Sequence, residues 1–413
     1  MKTLIWRGIL STLLSLGISI PMATWASDAL PLPDSPTMED VIRLLKQQQA
    51  EIDQLKRELR KTDLKVEATA SAVETVVAPD SAYARVADVA KRTQVGGYGE
   101  IHYNNKKNGD TDEVDAHRFV LFVNHQFTDK VSLFSEIELE HSVSGDGEEG
   151  EVELEQAFIE WDFADHHSAR FGQFLLPVGI LNETHEPDTF YGVERNNVEK
   201  NILPSTWWEA GVMLNGEMGP GLSYDIGVHS GLETDYSGGK AFNIRSGRQK
   251  GSKARAEEFA YTGRIKYTGI PGLELAVALN YQENLLQGLQ ATGIDDASAL
   301  LHEVHGIYQS GPFALRALYA GWDIDGDEAK ALGKDEQSGW YVEPSYKVSP
   351  RLGLFARYSE WDTEAGSSVD TEIEQIDFGL NFWLVENVVL KADWADQRNG
   401  DGDSFNLGLG FSF

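Results

Sequence analysis

Residues 404–413 read Ser-Phe-Asn-Leu-Gly-Leu-Gly-Phe-Ser-Phe. Phe405, Leu407, Leu409, Phe411 and Phe413 alternate with Asn406, Gly408, Gly410 and Ser412. Successive side chains of a strand point to opposite faces, so one face is wholly apolar and the other is small or polar. A soluble sandwich could hold one such strand. Repetition decides the matter. From residue 95 onward sixteen segments of about ten residues carry the same period of two, the length that crosses a bilayer at a tilt. Their connections alternate in length. Short ones include Thr128-Asp129, Ile270-Pro271, Gly311 and Ser349-Pro350, and long ones include 142–151, 177–206, 231–256 and 284–299. Tight turns gathered at one end and long loops at the other predict an all-β fold. It is a 16-stranded antiparallel transmembrane β-barrel over 95–413, with both ends of the chain on the periplasmic side.

Composition agrees. The 413 residues hold 66 Asp and Glu against 35 Lys and Arg, a net charge of −31, and no cysteine. That balance argues against a nucleic-acid partner, because phosphate binding needs a basic footprint. It also excludes disulfides and thiolate metal sites. The 40 glycines and 24% charged residues do not suit a helical membrane protein. A mean hydropathy of −0.34 is no objection to a barrel, since alternation averages every window out.

The first segment reads as an address. Lys2 and Arg7, the apolar run Gly8 to Ile20, and small Thr24 and Ala26 make 1–26 a secretory signal. Residues 27–37, with Pro31, Pro33 and Pro36, form a linker. Over 38–73 the apolar residues follow a heptad. Met38, Leu45, Ile52, Leu59, Val66 and Val73 take the a positions, and Val41, Gln48, Leu55, Thr62 and Thr69 take d. This predicts a periplasmic coiled coil, with polar d residues that weaken its seam. A lone surface helix folded back on the chain is the other reading. Residues 74–94 are a second linker.

Parity assigns inward faces. Glu100, Glu136, Glu138, Glu140, Glu160 and Asp377 should face the lumen, with Arg264, Lys266, Arg316, Lys347, Arg357 and Lys391. Acids gather on early strands and bases on later ones. Two arrangements are open: opposed arcs that set a transverse field, or local ion pairs that support the wall. Strand two is apolar on both faces around Phe119 to Val123, which leaves Arg118 unplaced. The thirty-residue gap 177–206 is long enough to be functional. It is expected to fold into the lumen as a constriction bearing Glu183, Glu186, Asp188, Glu194, Arg195 and Glu199. Trp207, Trp208, Trp322, Trp340, Trp361 and Trp394 stand at the long-loop ends of strands, as an interfacial girdle would. The basic loop 231–256 should grip lipid phosphates, such as those of lipopolysaccharide, or a neighbouring protomer. Asp323, Asp325 and Asp327 imitate the start of a calcium loop. Gly326 comes too early, however, and Lys334 stands where a bidentate Glu belongs. No metal site, cofactor or catalytic set is expected.

Certain motifs resemble a known family. Phe171-Gly172-Gln173-Phe174 followed by Pro177-Val178-Gly179 resembles the strand-five signature of the phosphate-selective porins O and P. Glu183 to Pro187, Thr189 to Asn196, and Pro204 through Gly211 are similar to broader members of that superfamily. The resemblance spans roughly 95–413 and implies a homotrimeric outer-membrane porin with its third long loop inside. The heptads resemble those of dicarboxylate-type porins with a periplasmic coiled coil. Terminal Phe413 is similar to the signal by which such barrels are recognised for insertion. Phosphate specificity in that family rests on a lumen crowded with Lys and Arg, so the acidic loop departs from the pattern and no phosphate-binding residue is carried over. The resulting expectation is passive diffusion of small hydrophilic solutes and ions through a trimer, with cations favoured at the constriction. The alternatives are an anion or phosphate channel, a barrel anchor whose heptads reach the cell wall, and a membrane-embedded hydrolase.

Overall fold

A computed structural model describes residues 37–77, 89–107, 112–400 and 402–413. The expected signal segment 1–26, most of the first linker, and 78–88 of the second lie outside the described residues. The chain divides into two units, Met1–Arg85 and Val86–Phe413.

Within the first unit, α1 runs Met38–Val77. Its 40 residues contain neither Gly nor Pro and are rich in Leu, Glu, Lys, Gln and Arg, all good helix formers. Glu39 and Asp40 sit in the first turn, where the helix dipole favours acids. Met38, Leu45, Ile52, Leu55 and Leu59 of the heptad stripe are exposed. No described helix is long and apolar enough to cross a membrane.

The second unit is a closed sheet of sixteen antiparallel strands. They are β1 Thr93–Lys106, β2 Glu113–Thr128, β3 Val131–Glu140, β4 Val152–Ala164, β5 His167–Leu175, β6 Trp208–Gly219, β7 Leu222–His229 and β8 Ala260–Tyr267. There follow β9 Leu273–Gln282, β10 Ser298–Ser310, β11 Phe313–Asp325, β12 Glu336–Ser349, β13 Leu352–Asp362, β14 Ile373–Val385, β15 Val388–Arg398 and β16 Ser404–Ser412. Each strand pairs with its neighbour in sequence, and β1 pairs with β16 from Tyr98↔Ser412 to Lys106↔Ser404. The number of strands and the side taken by each turn match the sequence expectation.

The period of two explains the wall. On β9, Leu275, Val277, Leu279 and Tyr281 are exposed on the outside, while Ala276, Ala278, Asn280 and Gln282 are buried inside. Phe119, Leu121, Ile137, Phe378, Leu380, Leu390 and Leu407 extend this apolar outer surface. Soluble monomers do not carry a continuous belt of this kind; it suits a hydrocarbon surround. The seam needs glycine. A Cβ on Gly97 would stand 2.3 Å from the Val120 carbonyl oxygen, and one on Gly99 would meet the Phe411 ring at 2.8 Å. Phe119 stacks near Phe413 at 6.1 Å and Phe411 at 6.5 Å, so aromatic rings cover the glycine backbone. Phe413 is held through paired backbone bonds with Gly97, 2.9 and 3.0 Å.

The core lies inside the barrel. Trp207, Trp322, Trp361, Phe174, Ile202, Leu203, Leu232, Phe242, Ile244 and Leu285 belong to one buried cluster. This corrects two expectations. The lumen is not simply a water-filled tube. Nor do the six tryptophans form a girdle: Trp207, Trp208, Trp322 and Trp361 are buried, and of the six only Trp340 and Trp394 meet the outer surface. The parity that points Arg316 inward points Trp322 inward too, six residues on along β11.

Gly97→Val is expected to impair seam closure, at a cost of about 1–3 kcal/mol from overpacking. Heat-modifiable mobility of the folded barrel on gels reads this directly. Gly239→Ala, where a Cβ meets nothing within 4 Å, should fold like the parent. Equal folding of both variants would refute the seam argument.

Candidate functional site

The loop between β5 and β6, residues 176–207, is a folded object. Its neck closes where the Leu176 N–H donates to Trp207 O at 3.0 Å. Asn182 staples that neck: its Nδ2 donates to Leu176 O at 2.8 Å and Trp207 O at 2.9 Å, and its Oδ1 accepts from the Trp207 N–H. A short helix, α2 Asn197–Asn201, is capped by Asn196, whose Oδ1 accepts from the Glu199 N–H at 2.8 Å. Gly179 has φ +71° and packs against Glu199 and Leu203, so a side chain there would be both strained and crowded.

Glu199 is the hub. It is fully buried and accepts from the Ile180 and Leu181 N–H groups at 2.9 and 2.6 Å, Tyr341 Oη at 2.7 Å and Asn196 Nδ2 at 3.1 Å. Burial pushes its carboxyl above the ordinary range, and these hydrogen bonds oppose that rise. Sequence placed Glu199 at a constriction; the structure instead turns it into the loop's own interior, away from the lumen.

The loop crosses the lumen. His185 O accepts from Arg118 on β2 at 2.7 Å, Thr189 O from Arg316 on β11 at 3.0 Å, and Phe190 O from Asn381 on β14 at 3.0 Å. Gly192 O accepts from Lys391 on β15 at 2.8 Å, and Ile202 O from Trp322 at 2.8 Å. Ser412 on β16 donates to Asp188 at 2.8 Å. Glu183 pairs with Arg264, and Glu194 with His102 at 2.9 Å. Glu186 and Arg195 are half-buried.

Several wall residues on the inner side form local pairs. Arg118 meets Glu100 at 2.6 Å and Glu138 at 3.7 Å. Arg264 meets Asp225 at 2.8 Å, and Arg357 meets Glu343 at 3.0 Å and Asp377 at 3.1 Å. Arg170 meets Glu160 at 2.8 Å. Glu136 accepts from Tyr98 and Gln156. Glu140 is half-buried beside Glu151 and Glu153, which share Lys250. The carboxylate partners of Arg118, Arg170, Arg264 and Arg357 named here lie on strands adjacent to theirs, apart from Glu183 of the loop. Of the two arrangements left open by sequence, local pairing describes Arg264 and Arg357, while Arg316 holds the loop instead. Breaking such a buried pair costs about 3–5 kcal/mol, because a charge is stranded.

The basic loop expected to grip lipid does something else. Arg245 donates to Ser205 O at 2.8 Å and Arg248 to Thr206 O at 2.6 Å. Phe242 and Ile244 are buried, and Gln337 on β12 donates to Phe242 O at 2.8 Å. The loop therefore clamps the neck of 176–207. At the acidic turn near Asp325, Lys330 of α3, Asp327–Leu332, meets Asp325 at 2.7 Å.

Two cavities flank the folded loop. One of about 320 Å³ at the long-loop end is lined by His102, Asp115, His117, Glu194, Arg195 and Lys200 among others. One of about 650 Å³ at the short-turn end is lined by Arg170, Glu183, Asp225, Arg264 and Lys266 among others. Sequence reasoning missed Asp225 and Glu343, although the register sets each opposite an inward arginine. It also missed Glu155, which a bulge between β3 and β4 shifts out of simple parity. Three groups bring donors within metal-binding reach: Asp115, His117 and His141; Glu136, Glu155 and His185; Glu140, Glu151 and Glu153.

Residues 92–404 match the family described as phosphate-selective porin O and P. An uncharacterized protein of Aquifex aeolicus (strain VF5) is 30% identical over 358 residues, 78% of this chain and 79% of its own length. Among solved structures, the outer membrane channel DcaP of Acinetobacter baumannii superposes with a TM-score of 0.55 at 16% identity, covering 78% of this chain and 97% of that one. An anion-selective porin from Comamonas acidovorans does so at 0.55 and 13%, covering 78% and 99%.

Glu199→Ala should destabilise the folded loop by about 2 kcal/mol, since it strands several buried donors. Earlier unfolding in detergent and faster proteolysis within 176–207 would register it. Glu199→Gln keeps one acceptor oxygen and should lose less. An alanine variant as stable as the parent would remove the hub.

Proposed function

The chain belongs to the phosphate-selective porin O and P family, and we propose that it gives small hydrophilic solutes and ions a passive route across the outer membrane, narrowed by the loop 176–207 and favouring anions. Its standing as an outer-membrane porin follows from the family and the closed barrel. Anion preference is the finer reading, and one observation carries it. Five carboxylates line the outer cavity, and each already has a partner. Glu113 meets Lys106 at 3.3 Å, Asp115 meets His117 and His141, Glu194 meets His102, and Asp377 meets Arg357. Asp393 accepts from the Val193 N–H and Asn406 Nδ2. Arg195 and Lys200 line the same cavity with no carboxylate at ion-pair distance among the described residues. They are the cavity's cations left outside ion pairs, and fixed charge at a narrow, low-dielectric passage sets ion preference. The acidic composition of the loop pointed to cations. Composition does not register which charges are left without an ion-pair partner.

The exposed apolar residues of α1, Met38, Leu45, Ile52, Leu55 and Leu59, support a further reading, that three protomers join through a periplasmic coiled coil. Outer-membrane lipid and lipopolysaccharide would then surround the apolar belt. The cell-wall anchor remains the structural rival, and a barrel without conductance would favour it.

In planar bilayers, the reversal potential in a salt gradient should report anion selectivity, and Arg195→Gln with Lys200→Gln should move it toward cations. A cation-selective parent, unaffected by that pair and shifted by Glu186→Gln, would overturn the reading. Leu45→Lys with Ile52→Lys should lower the oligomer fraction by cross-linking if α1 pairs between protomers.

A further inference from the structure

The histidines look scattered in sequence, yet three of them meet at the outer mouth. A bulge gathers them. Glu100 on β1 pairs with Arg118 on β2, but His102 pairs with Asp115, leaving Ala116 and His117 opposite Ile101. One extra residue re-aims the bulged strand, so Asp115, His117 and Arg118 all serve the inner side. His117 stacks on His102 with ring centroids 4.6 Å apart and meets the edge of the His141 ring at 5.5 Å. His141 follows β3 in the left-handed region, φ 52°, and its N–H donates to His117 O at 3.1 Å.

From these residues we propose that Asp115, His117 and His141 form a binding site for a divalent transition metal of the zinc class. Asp115 Oδ2 lies 3.0 Å from His117 Nδ1 and 2.8 Å from His141 Nδ1. Two donors that each stand about 2.1 Å from one metal ion are about 3.0 Å apart at a right angle and about 3.4 Å apart in a tetrahedron. Without metal, each spacing suits an Nδ1–H donating to Asp115 Oδ2, and it is close to the edge of a right-angled coordination set. An incoming metal ion displaces those two protons; with each ring proton on Nε2, both Nδ1 lone pairs and the carboxylate oxygen then converge on it. Imidazole and carboxylate donors select Zn²⁺, Co²⁺ or Ni²⁺ over Mg²⁺ and Ca²⁺, which prefer oxygen alone. His102 is held out of the set, because its nitrogens face Glu100 at 3.2 Å and Glu194 at 2.9 Å. It packs under His117 and fixes that ring, as supporting residues around a metal do.

The other two donor groups are weaker candidates. Lys250 occupies the group of Glu140, Glu151 and Glu153. Glu136, Glu155 and His185 are fully buried behind the lumen loop, and Glu136 already accepts from Tyr98 and Gln156. The group of Asp115 borders the outer cavity, so an ion reaches it from the long-loop side. The inference stands whichever ions the passage prefers.

The test uses the full-length, untagged protein in detergent, titrated with zinc chloride by calorimetry. One ion per chain is expected, retained in excess magnesium. His117→Gln, His141→Gln and Asp115→Asn should each weaken it by about tenfold or more, with heat-modifiable mobility confirming a folded barrel. His302→Gln, on the outer surface of β10, should bind like the parent. No saturable zinc binding by the parent overturns the proposal. So does equal binding by the folded His141→Gln variant, which changes only an exposed side chain.

Discussion

A backbone in hydrocarbon has no water to bond with, and every other feature here depends on that constraint. Each unpaired N–H or C=O in lipid costs several kcal/mol, so a spanning sheet must close. The pairing of β1 with β16 abolishes the two free edges. Closure in turn asks for glycine where neighbouring carbonyls crowd the wall, and for aromatic rings to cover the gap. Gly97, Gly99, Phe119, Phe411 and Phe413 answer both needs at the seam. Lipid outside then forces all polar chemistry inside.

Inside, a sixteen-stranded wall encloses more space than side chains alone can fill. The loop 176–207 fills part of it, and what holds the loop is mainly its own backbone. Arg118, Arg316, Asn381, Lys391 and Trp322 all donate to loop carbonyls from widely separated strands. Arg245 and Arg248 clamp the neck in the same way. One sector is packed dry around Trp207 and Trp322, while cavities remain elsewhere. The passage is thus asymmetric. In the proposed reading, its charge depends on which side chains lack partners, not on how many acids the loop contains.

The sequence was a good guide to faces and a poor guide to partners. Glu100, Glu136, Glu138, Arg264, Arg357 and Asp377, which parity assigns to the inner wall, are buried polar residues of the barrel. Arg118 was out of reach because its strand is apolar on both faces, and its place depends on Glu100 across the ladder. Trp322 and Trp361 were legible by the same parity, but their position near long-loop ends suggested a girdle. Glu199 could not be distinguished from Glu186 by type or spacing. Only the folded loop separates a buried hub from a half-exposed acid.

By itself, then, the amino-acid order determined strand number, inner and outer faces, and which end carries long loops, because a period of two and turn length are local properties of the chain. Tertiary structure alone decided the ion pairs, the dry sector, the clamp made by 231–256 and the meeting of Asp115, His117 and His141. Those depend on register, on a single bulge and on where a loop comes to rest, and such long-range distances leave no mark on neighbouring residues.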